Sequence, residues 1–169
     1  GPIVGTVMSN LGLEHALRDI HIGLERTKVG DRYIMEVLEK RGWTLGGEPS
    51  GHIICLNHHS TGDGIIAALQ LLAAMRVTGE PLSGLSKVMT LAPQDMINVD
   101  VADKPPLEEV PELQAAIKQA EAELDGKGRV LIRYSGTQSM CRVMVEGPTR
   151  QLTQQLTESL AETVRNCIG

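Results

Sequence analysis

Strand-like and helix-like spacings of apolar residues take turns along the first half of this chain, and few architectures accommodate that order. The β-branched run Ile3 to Met8 is followed by Leu13, Ala16, Leu17 and Ile20 at helical intervals. Ile22 to Thr27 reads as a second strand, and Tyr33 to Leu38 belongs to a helix that Gly30-Asp31 opens and Gly42 ends. Thr44 to Leu56 reads as strand, loop and strand. In its loop, Gly46 to Gly51, glycine permits backbone conformations closed to other residues and Pro49 prevents ladder pairing. The polar turn Thr61 to Gly64 precedes the most apolar helical stretch, Ile65 to Met75, whose lack of a polar face predicts cover on most sides. Strands alternating with helices in this way predict an α/β layer architecture.

The pattern breaks between Thr78 and Pro93, where Gly79-Glu80-Pro81 and Ala92-Pro93 bracket a short helical segment. That stretch reads as a connector between two domains, residues 1–92 and 93–169. Beyond it Ile97, Val99 and Val101 alternate with polar or small residues as in a half-buried strand. Leu107, Val110, Leu113, Ile117, Ala120 and Leu124 then recur at helical spacing. Val130 to Ile132 and Cys141 to Val145 form two strands around a turn, and Leu152, Leu156, Leu160 and Val164 mark a closing helix. The order β-α-β-β-α in so short a piece predicts an α+β domain, a sheet with its helices on one face.

Composition narrows the function. With no Phe, one Trp and two Tyr, the core must be built from aliphatic residues and the seven Met, and stacking platforms for bases are nearly absent. A net charge of -5 opposes phosphate polymers, so nucleic acid is not an expected partner. No apolar run reaches the roughly 18 residues of a membrane span, and no signal peptide is recognisable. Three cysteines without C-x-x-C spacing fit a reducing, cytoplasmic setting, as buried small hydrophobes. Gly1-Pro2 in place of an initiator Met suggests a tag remnant and an excised piece of a longer protein.

Two loops carry recognisable chemistry. Arg133-Tyr134-Ser135-Gly136-Thr137 lies between two strands, with Arg142 on the returning one. Hydroxyls and glycine-freed amides can nest an anion, and guanidinium presents the fork that phosphate oxygens prefer. A hairpin that merely turns the chain is the competing reading. Gly47-Glu48-Pro49-Ser50-Gly51-His52 places a carboxylate, a hydroxyl and an imidazole on one kinked loop, a set suited to a polyhydroxylated ligand. Against it stands a polar turn in which Glu48 and Ser50 satisfy backbone groups. It is not a G-x-S-x-G elbow, and no G-x-x-x-x-G-K loop occurs, so neither a serine hydrolase nor a P-loop kinase is indicated. Lys28 lies between a strand and a helix, where ligand sites of α/β units are found. His52, His58, His59 and Asp63 do not have metal-ligand spacing, and Asp63 is better placed to cap the apolar helix. No metal site is expected in the chain.

Val4-Gly5-Thr6-Val7-Met8-Ser9-Asn10, Arg26 to Arg32, Gly47-Glu48-Pro49-Ser50-Gly51-His52 and Arg133-Tyr134-Ser135-Gly136-Thr137, in this order, resemble segments of the phosphohexomutases. The likeness covers essentially the whole chain, as the third and fourth domains of those enzymes. It implies a three-layer α/β/α domain with a mixed sheet, followed by the small α+β domain. It also implies that Glu48 and Ser50 contact sugar hydroxyls and that Lys28 and His52 line the reaction centre. Arg133, Ser135, Gly136 and Thr137, with Arg142, would hold phosphate. The parent reaction would be interconversion of glucosamine 6-phosphate and glucosamine 1-phosphate through a phosphoserine enzyme and a 1,6-bisphosphate. The phosphoserine and the Mg²⁺ ligands belong to the first two domains, so the partners are the hexosamine phosphate and those domains, and this piece alone would be inactive. A sibling acting on glucose or mannose phosphates, and a freestanding phosphosugar-binding module, remain alternatives. Pro49, Tyr134, Gln138 and Ser139 depart from the family's usual residues.

Overall fold

The computed structural model describes Gly1–Gly169 as two compact units, Gly1–Leu91 and Ala92–Gly169. The first contains strands β1 (Ile3–Thr6), β2 (Leu24–Thr27), β3 (Leu45–Gly47) and β4 (Ile53–Cys55) and helices α1 (Leu11–Asp19), α2 (Asp31–Arg41), α3 (Gly64–Thr78) and α4 (Leu82–Leu85). Its four-stranded sheet runs β2-β1-β3-β4, with β1 parallel to both neighbours and β4 antiparallel to β3. Because β1 pairs with β2 on one side and β3 on the other, the right-handed crossovers put α1 and α2 on opposite faces. The side chains agree. Arg41 of α2 pairs with Glu25, which shares a face with Val4, whereas Glu14 of α1 pairs with Arg26 on the face of Gly5.

The α2 face holds the core of this unit, in which Val4, Ile34, Leu38 and Ile54 are fully buried. Ile34 and Leu38, one helical turn apart, meet the sheet at Gly46, where a Cβ would lie 2.4 Å from Ile34 Cγ2. Only glycine lets α2 press this close. Each such buried side chain is worth about 1.5–3 kcal/mol. The helix ends at Gly42, in the left-handed region at φ 68°.

Helix α3 departs from expectation. The absence of a polar face predicts cover, yet Ala67 is its sole buried residue, and Ile65, Leu69, Leu72 and Val77 are 75%, 55%, 58% and 86% exposed. It packs against β4 and against the single-turn α4. Asp63 caps it as the sequence suggests, Oδ1 accepting from Ile65 N–H at 2.8 Å and Ile66 N–H at 2.9 Å.

The second unit is a three-stranded antiparallel sheet in the order β5-β7-β6, from β5 (Gln94–Asp100), β6 (Arg129–Tyr134) and β7 (Met140–Glu146). Helices α5 (Pro111–Leu124) and α6 (Arg150–Ile168) pack on one face, over Val99, Cys141, Val143 and Val145. The apolar spacing extends back to Leu107, but α5 begins only at Pro111, and Leu107–Glu109 form a separate 3-10 turn. Proline at a helix's first position forfeits no hydrogen bond, whereas one turn later it would break the ladder. Of the cysteines, Cys141 is fully buried and its thiol is pushed up to about 11 by burial, while Cys55 and Cys167 are half-buried.

Candidate functional site

In the second unit the antiparallel register decides the geometry. Arg133 of β6 lies directly opposite Arg142 of β7, and Arg142 opposite Asn98 of β5. Their neighbours Ile132, Val143 and Val99 point into the core, so alternation puts both guanidinium groups and the Asn98 amide on the sheet face away from α5 and α6. Like charges opposite each other on adjacent strands repel. Burial, and then Arg142, hold the Arg133 guanidinium below its ordinary range. The Nε of Arg142 is buried without a hydrogen-bond partner.

The strands close through Ser135–Ser139. Ser135 is buried, its N–H donating to Met140 O at 2.9 Å and its Oγ facing Thr137 N–H at 3.4 Å. Arg133, Ser135, Gly136, Thr137 and Arg142 thus share one hairpin end, with two cations and the exposed Gly136 amide there. An anion lodged at that end would replace repulsion by attraction. Sequence reasoning missed Lys104, whose Nζ donates to Ser135 O at 3.0 Å and Gln138 O at 2.9 Å. Nothing in a lone lysine 31 positions before Ser135 signals this.

In the first unit, parallel strands β2, β1 and β3 bring Lys28, Ser9-Asn10 and Glu48 to their carboxyl ends, at the point where the crossovers diverge. Crevices for ligands form at such points. Glu48 is nearly buried, and its Oε2 accepts from Gly30 N–H at 3.1 Å, at the opening of α2. The carboxylate therefore ties the Lys28 loop to its own. Its other oxygen lies 3.4 Å from His52 Nδ1, which also meets Ser50 Oγ at 2.8 Å. Both neighbours address the same ring nitrogen, so the trio is no Ser-His-acid relay, which needs one partner on each nitrogen. Half of the His52 side chain is exposed. The Lys28 ammonium lies 6.0 Å from the Tyr33 ring centroid and forms no ion pair. The polar-turn reading of Glu48 is correct for one of its oxygens, and the loop still gathers Lys28, Glu48, Ser50 and His52 at one end of the sheet.

No group of three His, Cys, Asp or Glu side chains is close enough to hold a metal ion. His59 Nδ1 instead faces Thr61, at 3.2 Å from its N–H and 3.0 Å from Oγ1. Asp63 is held below the usual carboxylate range, chiefly by the Ile66 amide. A cavity of about 410 Å³ opens on the sheet face opposite α2, among Ile3, Leu13, Leu45, Ile53 and Met89. Those walls suit apolar side chains better than a sugar.

Residues 1–91 match a family model described as Phosphoglucomutase/phosphomannomutase, alpha/beta/alpha domain III, and residues 96–163 match the same family's C-terminal domain. Among curated relatives, the phosphoglucosamine mutase of Syntrophus aciditrophicus is 52% identical over 167 residues, covering 99% of this chain and 37% of the relative. That of Thioalkalivibrio sulfidiphilus is 52% identical over 169 residues, covering 98% of this chain and 38% of the relative. The chain thus spans little more than a third of their length. In fold it is similar to Aspergillus fumigatus N-acetylphosphoglucosamine mutase, with TM-score 0.86 at 21% identity over 98% of this chain and 38% of that one. A complex of that fungal enzyme with GlcNAc-6P and magnesium gives TM-score 0.82 at 20% identity, over 97% and 41%. No helix here is long and apolar enough to cross a membrane.

Proposed function

The chain belongs to the phosphoglucomutase/phosphomannomutase family, and on that premise we propose that it is the substrate-binding part of an isomerase interconverting glucosamine 6-phosphate and glucosamine 1-phosphate. The choice of sugar follows the relatives at 52% identity that carry the name phosphoglucosamine mutase. The observation that carries the reading is the Arg133–Arg142 pair beside Ser135-Gly136-Thr137. Apposed guanidinium groups cost stability in a free protein, and a phosphate ester with its two charges turns that cost into affinity.

Each unit then has its task. In the second, Arg133, Arg142, the Ser135 and Thr137 hydroxyls and the Gly136 amide hold the ester. In the first, the Glu48 carboxylate accepts from neighbouring ring hydroxyls and Ser50 both donates and accepts. Contacts to mid-ring hydroxyls are compatible with a sugar bound in either of two reversed orientations, which a 1,6-bisphosphate intermediate requires. Lys28 and His52 Nε2 are the groups able to move a proton at the reacting oxygen. A phosphoryl group passes from phosphoserine to O1 of glucosamine 6-phosphate, and the O6 phosphoryl of the resulting bisphosphate returns to serine. No water is consumed and nothing is oxidised.

The nucleophilic serine and the magnesium ligands belong to the remainder of a longer polypeptide. The residues present do not fit magnesium, since no acidic cluster exists and Asp63 is engaged by two helix amides. The same remainder is the expected partner. A helix as apolar as α3 with so much exposed side chain needs a covering layer, and the matched relatives are long enough to supply one.

Calorimetric titration of glucosamine 6-phosphate into the chain tests the reading. Weak, salt-sensitive binding that Arg133→Ala removes is expected, with no turnover by this chain alone. Binding that survives Arg133→Ala overturns the assigned clamp.

A further inference from the structure

Lys104 lies outside the loop that joins Arg133 to Ser139, yet its ammonium binds two of that loop's carbonyls. The segment Val101–Pro105 is laced to that loop at both ends. Val101 N–H donates to Ser139 O at 3.1 Å, and Tyr134 O–H donates to Pro105 O at 2.7 Å. Between these, the Lys104 ammonium takes the carbonyls of Ser135 and Gln138. No carboxylate lies within ion-pair distance of it, and its nearest ring is Tyr134, at 6.0 Å from the centroid.

The consequence follows from peptide planarity. In a trans peptide the C=O and the next residue's N–H point in opposite directions. Turning the Ser135 carbonyl onto Lys104 turns the Gly136 N–H away from it, and turning the Gln138 carbonyl does the same for Ser139 N–H. Gly136 is exposed and its N–H donates to no protein group, so without a fixed carbonyl this peptide is free to flip. We propose that Lys104 is a positioning residue of the anion site: it pins two carbonyls of the loop and thereby presents the Gly136 and Ser139 amides to the phosphate, without touching the phosphate itself. This rests on the reading of Arg133–Thr137 as the phosphate loop and adds the device that preorganises it.

The test uses the 169-residue chain, inorganic phosphate as the probe and amide ¹⁵N–¹H spectra as the readout. Lys104→Met, which removes the donors, is expected to weaken phosphate binding about tenfold, the effect of losing a charge-assisted hydrogen bond. It should also abolish the phosphate-induced shifts of the Gly136 and Ser139 amides. Lys104→Arg, which keeps charge and donors, should restore both. Lys104→Gln keeps a neutral donor and serves if methionine unfolds the loop; an intermediate loss is expected. A lowered Tm with unchanged phosphate affinity and unchanged amide shifts would make Lys104 purely structural and overturn the proposal. If wild type binds phosphate and Arg133→Gln does not, while Lys104→Met binds normally, the positioning role alone fails. If wild type shows no phosphate binding, the loop reading fails and the positioning role with it.

Discussion

At the scale of single residues, the arginine pair sets stability against binding. Arg142 stands opposite Arg133 and keeps a buried, unpartnered Nε, so in the free protein it contributes repulsion and a lost hydrogen bond. Arg142→Met keeps the packed stem of the side chain and removes the charge. The variant is expected to be more stable than wild type by roughly 0.5 kcal/mol without phosphate and to lose most of the stabilisation that added phosphate gives wild type. Urea denaturation with and without phosphate reads both numbers, and a variant less stable in both conditions would show that Arg142 is a packing residue. How far such residues were legible depended on contiguity. Arg133, Ser135, Gly136 and Thr137 sit side by side in the sequence, and the short turn that follows makes Arg142 a plausible neighbour. Lys104 was illegible because its role is to bind backbone carbonyls, which leave no trace in residue type. The sequence allows Glu48 to be a ligand group or a turn former, and its two oxygens do different jobs: one ties down the Gly30 amide and the other meets His52.

At the scale of elements, capping and proline placement were readable and helix exposure was not. Asp63 before an apolar run announces a helix start, and its carboxylate indeed takes the Ile65 and Ile66 amides. Pro111 fixes where α5 begins, although apolar spacing alone carries the helix back to Leu107. Apolar spacing says that a helix wants cover, and it cannot say which polypeptide supplies it. The cap of α3 gives a pH prediction with a definite sign. The Asp63 carboxyl is held below its ordinary value by the Ile66 amide first, burial opposing, with the Ile65 amide and His59 assisting. A depressed carboxylate stabilises the fold fully above its unfolded-state value, near pH 4, and that stabilisation is lost as pH falls through the lower folded-state value. Wild type should therefore melt above Asp63→Ala at pH 5, and the margin should shrink below about pH 4. Circular dichroism melts across that range check it, and a margin that failed to shrink below about pH 4 would mean that the cap does not act through its charge.

At the scale of the whole molecule, α3 decides how the chain behaves in isolation. Ile65, Leu69, Leu72 and Val77 recur at intervals of three to five and are all more than half exposed, an apolar stripe of the kind that monomers rarely leave in water. Arg76 is the one charged residue on the helix, so little opposes association through this surface. If the stripe is made for the remainder of a longer protein, its cost in the isolated chain is self-association rather than instability. Leu69→Lys combined with Leu72→Lys is accordingly expected to lower the sedimentation-measured self-association of the 169-residue chain while moving its Tm by no more than about 2 °C, since exposed substitutions change stability little. Lysine at the two matching positions of a full-length relative should lower Tm by several times as much, because there the covering layer would bury those positions. Equal, small effects in both proteins would show that the stripe stays in water even in the longer chain. A large loss of stability in the short chain would show that α3 already packs through those leucines.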